Sequence, residues 1–121
     1  MKKTDKERLR KILDIWKDLE QQIQRRHITK EIILQDTFLQ WAVTTPLYNI
    51  GEQVYQLSKE FKQKYPDQPW FAVAGLRHRL VHDYESINWN VITEVLFKDL
   101  PDFAISVEQI LEVEENHRSA D

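Results

Sequence analysis

The chain has 121 residues, of which 41% are apolar and 31% charged, and its formal net charge is −3 at pH 7. Such a length supports one domain with a single core, and an acidic balance disfavours a broad nucleic-acid-binding surface, which is usually basic. The chain has no cysteine, which excludes disulfides and cysteine nucleophiles, and only two glycines, too few for a glycine-rich phosphate loop.

No apolar run approaches the roughly 20 residues that a membrane helix needs. The charged start MKKTDKERLRK has no apolar region behind it, so we expect no secretory signal. The absence of cysteine fits a reducing compartment. We therefore predict a cytoplasmic protein that does not engage a membrane.

The first helix is predicted from about Thr4 to Arg25, because apolar residues recur there every three or four positions with polar residues between them. Thr4 or Asp5 is its expected N-cap, since short oxygen-bearing side chains satisfy the free amides of the first turn. The apolar positions are Leu9, Ile12, Leu13, Trp16, Leu19 and Ile23.

A second helix is predicted to follow Thr29, which is its expected cap although no capping box follows it. Pro46 lies inside this stretch. A proline removes one backbone hydrogen bond from a helix interior, so we expect a bend or break near Thr44–Thr45. The apolar positions on one side are Ile33, Phe38, Leu39, Ala42, Leu47, Ile50, Val54, Leu57 and Phe61.

The segment KYPDQPW is the clearest loop, because it contains two prolines and an aspartate. Pro69 can occupy the first turn of a third helix, which is predicted from Trp70 to about Asp83. This helix is expected to bury its apolar side chains, which are Phe71, Val73, Ala74, Leu80 and Val81.

Asn88 is expected to cap a fourth helix that starts at Trp89. Pro101 should kink or interrupt that helix, and the polar tail at residues 113–121 is expected to fray. Residues 1–121 are therefore predicted to form a single all-α domain. Its architecture is an antiparallel up-and-down bundle of about four to five helices.

Four large aromatic side chains offer more apolar surface than so small a bundle needs to hide. They are Trp41, Tyr48, Trp70 and Trp89. Such residues either fill the core, where aromatics are usually found, or face a partner chain. The sequence leaves both readings open.

The stretch LRHRLVHDYES concentrates cations in an acidic chain, with Arg77, His78, Arg79 and His82 inside it. One reading is that these residues stabilise the C-terminal end of a helix, where positive charge complements the dipole. The other is that they handle a phosphate, because arginine grips two phosphate oxygens and histidine moves protons near neutral pH.

Together, an arginine and a histidine suit RNA cleavage without a metal. The histidine takes the proton of a ribose 2′-hydroxyl, the oxygen attacks the adjacent phosphorus, and the arginine stabilises the added charge. The product is a 2′,3′-cyclic phosphate. On a regular helix Arg77 and His82 lie about 140° apart, whereas His78 and Arg79 lie closer to His82. A looser turn at the helix end, or a symmetric dimer, would bring the groups together.

Other chemistries have less support in the sequence. The four histidines are His27, His78, His82 and His117, and they show neither zinc-site spacing nor an HExxH motif. Serine hydrolysis is also disfavoured, because no serine sits in a nucleophile-elbow pattern. We expect neither a metal nor a cofactor.

The octapeptide RHRLVHDY fits R-x4-H-x-Y, with Arg77, His82 and Tyr84 at the fixed positions. This pattern resembles the HepT-like toxins, also called the DUF86 family, which belong to the HEPN superfamily. The likeness extends from Asn49 to Phe103 and includes the segments IGE, YPDQPW and DLP. The first 48 residues resemble the family only in helical layout and in LQD.

The resemblance implies an all-helical homodimer with the motif in a cleft between protomers. It implies a metal-independent ribonuclease toxin of a type VII-like toxin–antitoxin system, with Arg77 and His82 as catalytic residues. The expected partner is a minimal nucleotidyltransferase (MNT) antitoxin, which would neutralise the toxin by AMPylation of Tyr84. An AMP group would add bulk and a negative phosphate beside the cations meant for RNA.

Relatives often carry an acidic residue shortly before IGE, where this chain reads TTPLYN. Glu52 or Asp83 is expected to serve in its place, and Arg79 is a further supporting residue. The alternative function is a non-catalytic helical module that binds a nucleotidyltransferase partner. RNA cleavage by unmodified protein distinguishes the two.

Overall fold

The computed structural model describes residues 1–81 and 84–120, without the side chains of Tyr84 and residues 117–120. This part of the chain is helical and contains no strand, which confirms the all-α prediction. Its helices are α1 (Lys3–Arg25), α2 (Lys30–Gln35), α3 (Thr37–Gln56), α4 (Lys59–Lys64), α5 (Trp70–Val81), α6 (Trp89–Glu94) and α7 (Leu100–Ala120), with a 3-10 turn at Tyr84–Ser86 and a π-helical turn at Val95–Asp99 between α6 and α7.

Contacts between the long helices show that α1 runs antiparallel to both α3 and α7. Near the start of α1, Arg8 donates a 3.1 Å hydrogen bond to Gln53, which lies near the end of α3. Lys17, further along α1, lies 3.7 Å from Glu108, whereas Arg10 pairs with Glu115, which lies later in α7. The predicted antiparallel order holds for these pairs.

Helix α3 also runs antiparallel to α5, its most extensive packing partner. Trp41, near the start of α3, shares a surface pocket with Glu85, which follows α5 in the chain. Tyr55, near the end of α3, shares a groove with Phe71 at the start of α5. The cation-rich C-terminal half of α5 therefore lies along the middle of α3.

The core holds apolar side chains from α1, α3, α5 and α7, and its aromatic part is a cluster of Phe61, Trp70 and Phe103. Trp70 is buried, and its indole donates a 2.8 Å hydrogen bond to the Tyr65 carbonyl. Trp41, by contrast, is 56% exposed. Trp70 therefore fills the core, whereas a partner chain facing the exposed Trp41 stays a prediction.

The second predicted helix is divided into α2, α3 and α4, because two side chains along it act as N-caps. Asp36 accepts a hydrogen bond from the Leu39 amide, and Ser58 accepts one from the Phe61 amide. Pro46 does not break α3. Of the expected bend or break near Thr44–Thr45, the break is wrong, because packing of α3 against α1 and α5 outweighs the single lost hydrogen bond. The bend stays a prediction.

The predicted cap of α1 is also wrong. The N-cap position is Lys2, without a side-chain cap, and both Thr4 and Asp5 lie inside the helix. The buried Asp5 carboxylate instead accepts hydrogen bonds from the Ser58 amide at 2.8 Å and the Ser58 hydroxyl at 2.6 Å. It thereby fixes the start of α4 to α1.

Near Pro101 the chain forms the π-helical turn Val95–Asp99 and continues directly into α7. A single π-helical turn lets a helix accommodate an irregularity without ending. Helix α7 continues through Ala120, and the expected fraying of residues 113–121 stays a prediction. Glu114 is buried there and pairs with Lys64 at 2.7 Å. In the described part of the chain, no helix is long and apolar enough to cross a membrane.

Candidate active site

Arg77 lies where α5 comes closest to α3, and a glycine makes that approach possible. A Cβ atom at Gly51 would lie 2.7 Å from the Arg77 backbone nitrogen and 3.1 Å from the Val73 carbonyl oxygen. Any side chain at Gly51 would therefore push the two helices apart. The glycine of the IGE segment sets the position of the Arg77 backbone.

The Arg77 side chain is held by two residues of α3. Its Nε lies 2.5 Å from Glu52 Oε2, and neither of these two atoms is exposed to solvent. Its guanidinium carbon lies 4.2 Å from the centre of the Tyr55 ring, within cation–π distance. A third of the Arg77 side chain, 33%, remains exposed. Arg77 is therefore oriented by protein contacts while part of it stays available to a ligand.

Arg77 lines an open groove of about 750 Å³ between α5 and the region where α3 leads into α4. We call it the α5 groove. Among the residues that the structure describes, none that lines the groove is acidic, although the whole chain is. The lining residues are Tyr55, Lys62, Trp70, Phe71, Ala74, Gly75, Arg77, His78 and Arg79. Such a surface is suited to an anion.

Lys62 stands on the rim of the α5 groove, where its amine lies 3.4 Å from the Tyr55 carbonyl oxygen as a hydrogen-bond donor. Burial lowers the pKa of the Lys62 amine, and the Asp5 carboxylate opposes that shift. A partly desolvated amine gains more from an incoming anion than a fully hydrated one does.

The structure describes some of the predicted site residues in full and others in part or not at all. Arg77 and Arg79 line one groove, and Glu52 contacts Arg77. His82 and Asp83 lie outside the described residues, and of Tyr84 only the backbone is described, in the 3-10 turn Tyr84–Ser86. The convergence of Arg77 and His82 therefore stays a prediction.

Two expectations for α5 are wrong, because Phe71 is 93% exposed and Val81 is 51% exposed. Val73 and Leu80 are buried as expected. At about 100° per residue, Phe71 projects about 160° to 180° away from both of them. The spacing alone could have placed Phe71 on the outer face.

Sequence reasoning also missed Tyr55 and Lys62 as parts of the site. Neither belongs to the R-x4-H-x-Y motif, and both come from a segment more than ten residues earlier in the chain. Tyr55 follows Glu52 by three positions, so the two share one face of α3. That spacing is the signal that could have found Tyr55.

Within residues 1–81 and 84–116, no three His, Asp or Glu side chains are grouped so as to hold a metal ion. The chemistry available from the described groups is binding and charge stabilisation by Arg77, with Lys62 and Arg79 beside it. Among the described lining residues, His78 carries an imidazole, the side chain that moves protons near neutral pH, whereas the motif histidine His82 lies outside the described residues.

Comparison with known proteins shows a consistent resemblance. The family model HepT-like, described as "Ribonuclease HepT-like", matches residues 7–110. "Putative RNase TTE0752" of Caldanaerobacter subterraneus subsp. tengcongensis is 37% identical over 87 residues, or 72% of this chain and 78% of that protein. "Putative RNase MJ0127" of Methanocaldococcus jannaschii is 32% identical over 105 residues, or 87% of this chain and 79% of that protein.

A third relative, "Probable ribonuclease HepT" of Thermococcus cleftensis, is 33% identical over 76 residues. The match covers 63% of this chain and 69% of that protein. No solved structure matches the chain.

Proposed function

The chain belongs to the HepT-like ribonuclease family, and we propose that it is a metal-independent endoribonuclease that cleaves single-stranded RNA in the cytoplasm with Arg77 and His82. The observation that carries the proposal is the orientation of Arg77. Glu52 and Tyr55 hold it on the wall of a groove whose described lining residues include no acid, five positions before the motif histidine.

The proposed reaction needs no group from outside the protein. His82 takes the proton of the ribose 2′-hydroxyl, and the 2′-oxygen attacks the adjacent phosphorus. Arg77 binds the non-bridging oxygens and stabilises the charge that develops on them. The bond from phosphorus to the 5′-oxygen breaks, and that oxygen takes a proton from the His82 of a second copy. The products are a 2′,3′-cyclic phosphate and a 5′-hydroxyl end.

We place this site in a homodimer. Exposed aromatic and apolar side chains on α3 and α5, among them Trp41 and Val81, offer surface for a second copy. A two-fold axis near α5 would bring two copies of the motif into one cleft and supply both histidines that the reaction uses.

We place the regulation at Tyr84. A minimal nucleotidyltransferase antitoxin would join the tyrosine oxygen to the α-phosphorus of ATP, with loss of the tyrosine proton and release of pyrophosphate. The chain would then be the toxin of a type VII-like toxin–antitoxin pair. The attached phosphate would occupy the cations of the α5 groove and exclude RNA.

The second candidate function is a helical module that binds the nucleotidyltransferase without cleaving RNA. The observation in its favour is the exposure of Trp41 and Tyr55, which are 56% and 53% exposed on α3. Aromatic side chains of this kind are enriched in protein interfaces.

The deciding experiment gives AMP-free protein single-stranded RNA in the presence of a chelator. We expect cleavage with 2′,3′-cyclic phosphate ends, and loss of cleavage in His82→Ala. His27→Ala is the matched control, because His27 lies in the turn after α1, away from the α5 groove. Tight antitoxin binding without any cleavage by the unmodified protein would support the module instead.

A further inference from the structure

Phe71 is the most exposed large apolar side chain among the described residues, at 93%. It stands at the start of α5 and lines the same groove as Arg77, six residues later. Along the helix axis, Phe71 and Arg77 are therefore about 9 Å apart. Neighbouring nucleotides of one strand can span that distance. Phe71 has no role in the core, because its helix face is opposite that of Val73 and Leu80.

Gly75 leaves the groove open between Phe71 and Arg77. A Cβ atom at Gly75 would meet nothing nearer than Arg79 Nε at 4.0 Å, so packing does not require this glycine. A glycine inside a helix is less favourable than alanine. Together with its neighbour Ala74, it forms a floor without bulky side chains in the α5 groove.

The charge of the groove favours a polyanion. Its described lining includes Lys62, Arg77, His78 and Arg79 and no acidic residue, in a chain with a net charge of −3. An exposed aromatic ring beside a row of cations is the arrangement that binds single-stranded nucleic acid, because the cations contact the backbone while the ring stacks on a base.

We propose that the α5 groove is a nucleotide subsite, in which the base next to the scissile phosphate stacks on the Phe71 ring while Lys62 and Arg79 contact the backbone. This subsite rests on the proposed ribonuclease function and gives a physical reason for its use of single-stranded RNA, since a paired base cannot leave its stack to reach the ring. Phe71 is thus a substrate-positioning residue, outside the proton-transfer steps.

The test measures binding of a fluorescent single-stranded oligonucleotide that is 2′-O-methylated throughout, so that no nucleophile is present and the wild-type protein can be used. Phe71→Ala should weaken binding roughly 5- to 100-fold, and Phe71→Trp should restore it. Ile105→Ala, which removes an exposed apolar side chain on α7, is the matched control and should bind as the wild type does.

A second oligonucleotide series carries one abasic position, moved along the strand. One placement should weaken binding to the wild type, and the same placement should have little further effect on Phe71→Ala, because the partner of the ring is already absent. Independent effects of the variant and the abasic position would overturn the subsite.

Other outcomes separate the two proposals. RNA cleavage by the wild type together with unchanged binding by Phe71→Ala would overturn the subsite alone. A wild type that neither binds nor cleaves RNA would overturn both. A fall in particle mass for Phe71→Ala, measured by light scattering, would make the ring a contact between copies of the chain and would also overturn the subsite.

Discussion

The Glu52 carboxylate and the Arg77 guanidinium meet at 2.5 Å between α3 and α5, with the two facing atoms withdrawn from solvent. The guanidinium also lies over the Tyr55 ring. An arginine left free would lose side-chain entropy on binding a phosphate. Held in this way it is largely ordered before substrate arrives, which is the condition under which a cation stabilises a transition state efficiently.

Glu52→Gln should lower kcat for RNA cleavage roughly 10- to 100-fold, because Arg77 loses the charge that orients it. KM should stay level or fall, since a negative charge is removed beside an anionic substrate. Single-turnover and steady-state kinetics on one oligonucleotide measure both quantities.

The control for that variant is Glu60→Gln, which removes an exposed carboxylate on α4 that pairs with Lys2. It should leave both constants unchanged. A rise in KM with kcat unaltered in Glu52→Gln would show that the carboxylate does not position Arg77 for the chemical step.

Gly51→Ala should lower the free energy of unfolding by ~1–3 kcal/mol, because the new Cβ would overlap the Arg77 backbone nitrogen. Gly75→Ala should instead gain up to ~1 kcal/mol, since the nearest atom there is 4.0 Å away and alanine favours the helix. Urea denaturation of both variants measures the difference. Equal stability of the two would contradict the close approach of α3 and α5.

Glu114 should make stability depend on pH in the acid range. Hydrogen bonds from Lys64, first, and from the Tyr65 hydroxyl hold the pKa of the Glu114 carboxyl below its usual value of 4.5. Its contribution is therefore fully present above that value and is lost as the pH falls through the lower folded-state pKa. The free energy of unfolding should fall more steeply with acid in the wild type than in Glu114→Gln, and parallel slopes would contradict the assignment.

Tyr84→Phe should abolish modification by the nucleotidyltransferase. With antitoxin and ATP present, the intact mass of the wild type should rise by whole adenylyl units, and its RNA cleavage should fall in step. Tyr48→Phe, which alters a half-buried tyrosine on α3, should be modified normally. An undiminished mass increase in Tyr84→Phe would place the modification elsewhere.

The sequence predicts much of the fold where local signals decide it. Apolar spacing locates α1 and α5, and Asn88 caps α6 as expected through hydrogen bonds from the Asn90 and Val91 amides. The divisions at Asp36 and Ser58 were missed because the apolar spacing continues across them. Both are common N-cap residue types, so the signal was present but weaker than the periodicity.

The site depends more on contacts between distant segments. Glu52 and Arg77 are 25 positions apart, and no local pattern predicts their contact. The family resemblance indicates Glu52 as a supporting residue. The spacing of residues along α3 does not predict that Glu52 pairs with Arg77. The residue type of Phe71 predicts a core position, whereas its angle around the helix predicts the exposed one that the structure shows.

The most direct test of the central claim is a double-mutant cycle between Arg77 and His82 on one RNA phosphodiester, with kcat measured under chelation. If both side chains act on the same phosphate, Arg77→Ala and His82→Ala should each lower kcat strongly, and the double variant should be little slower than the slower single variant. Losses that multiply in the double variant would contradict a shared phosphate.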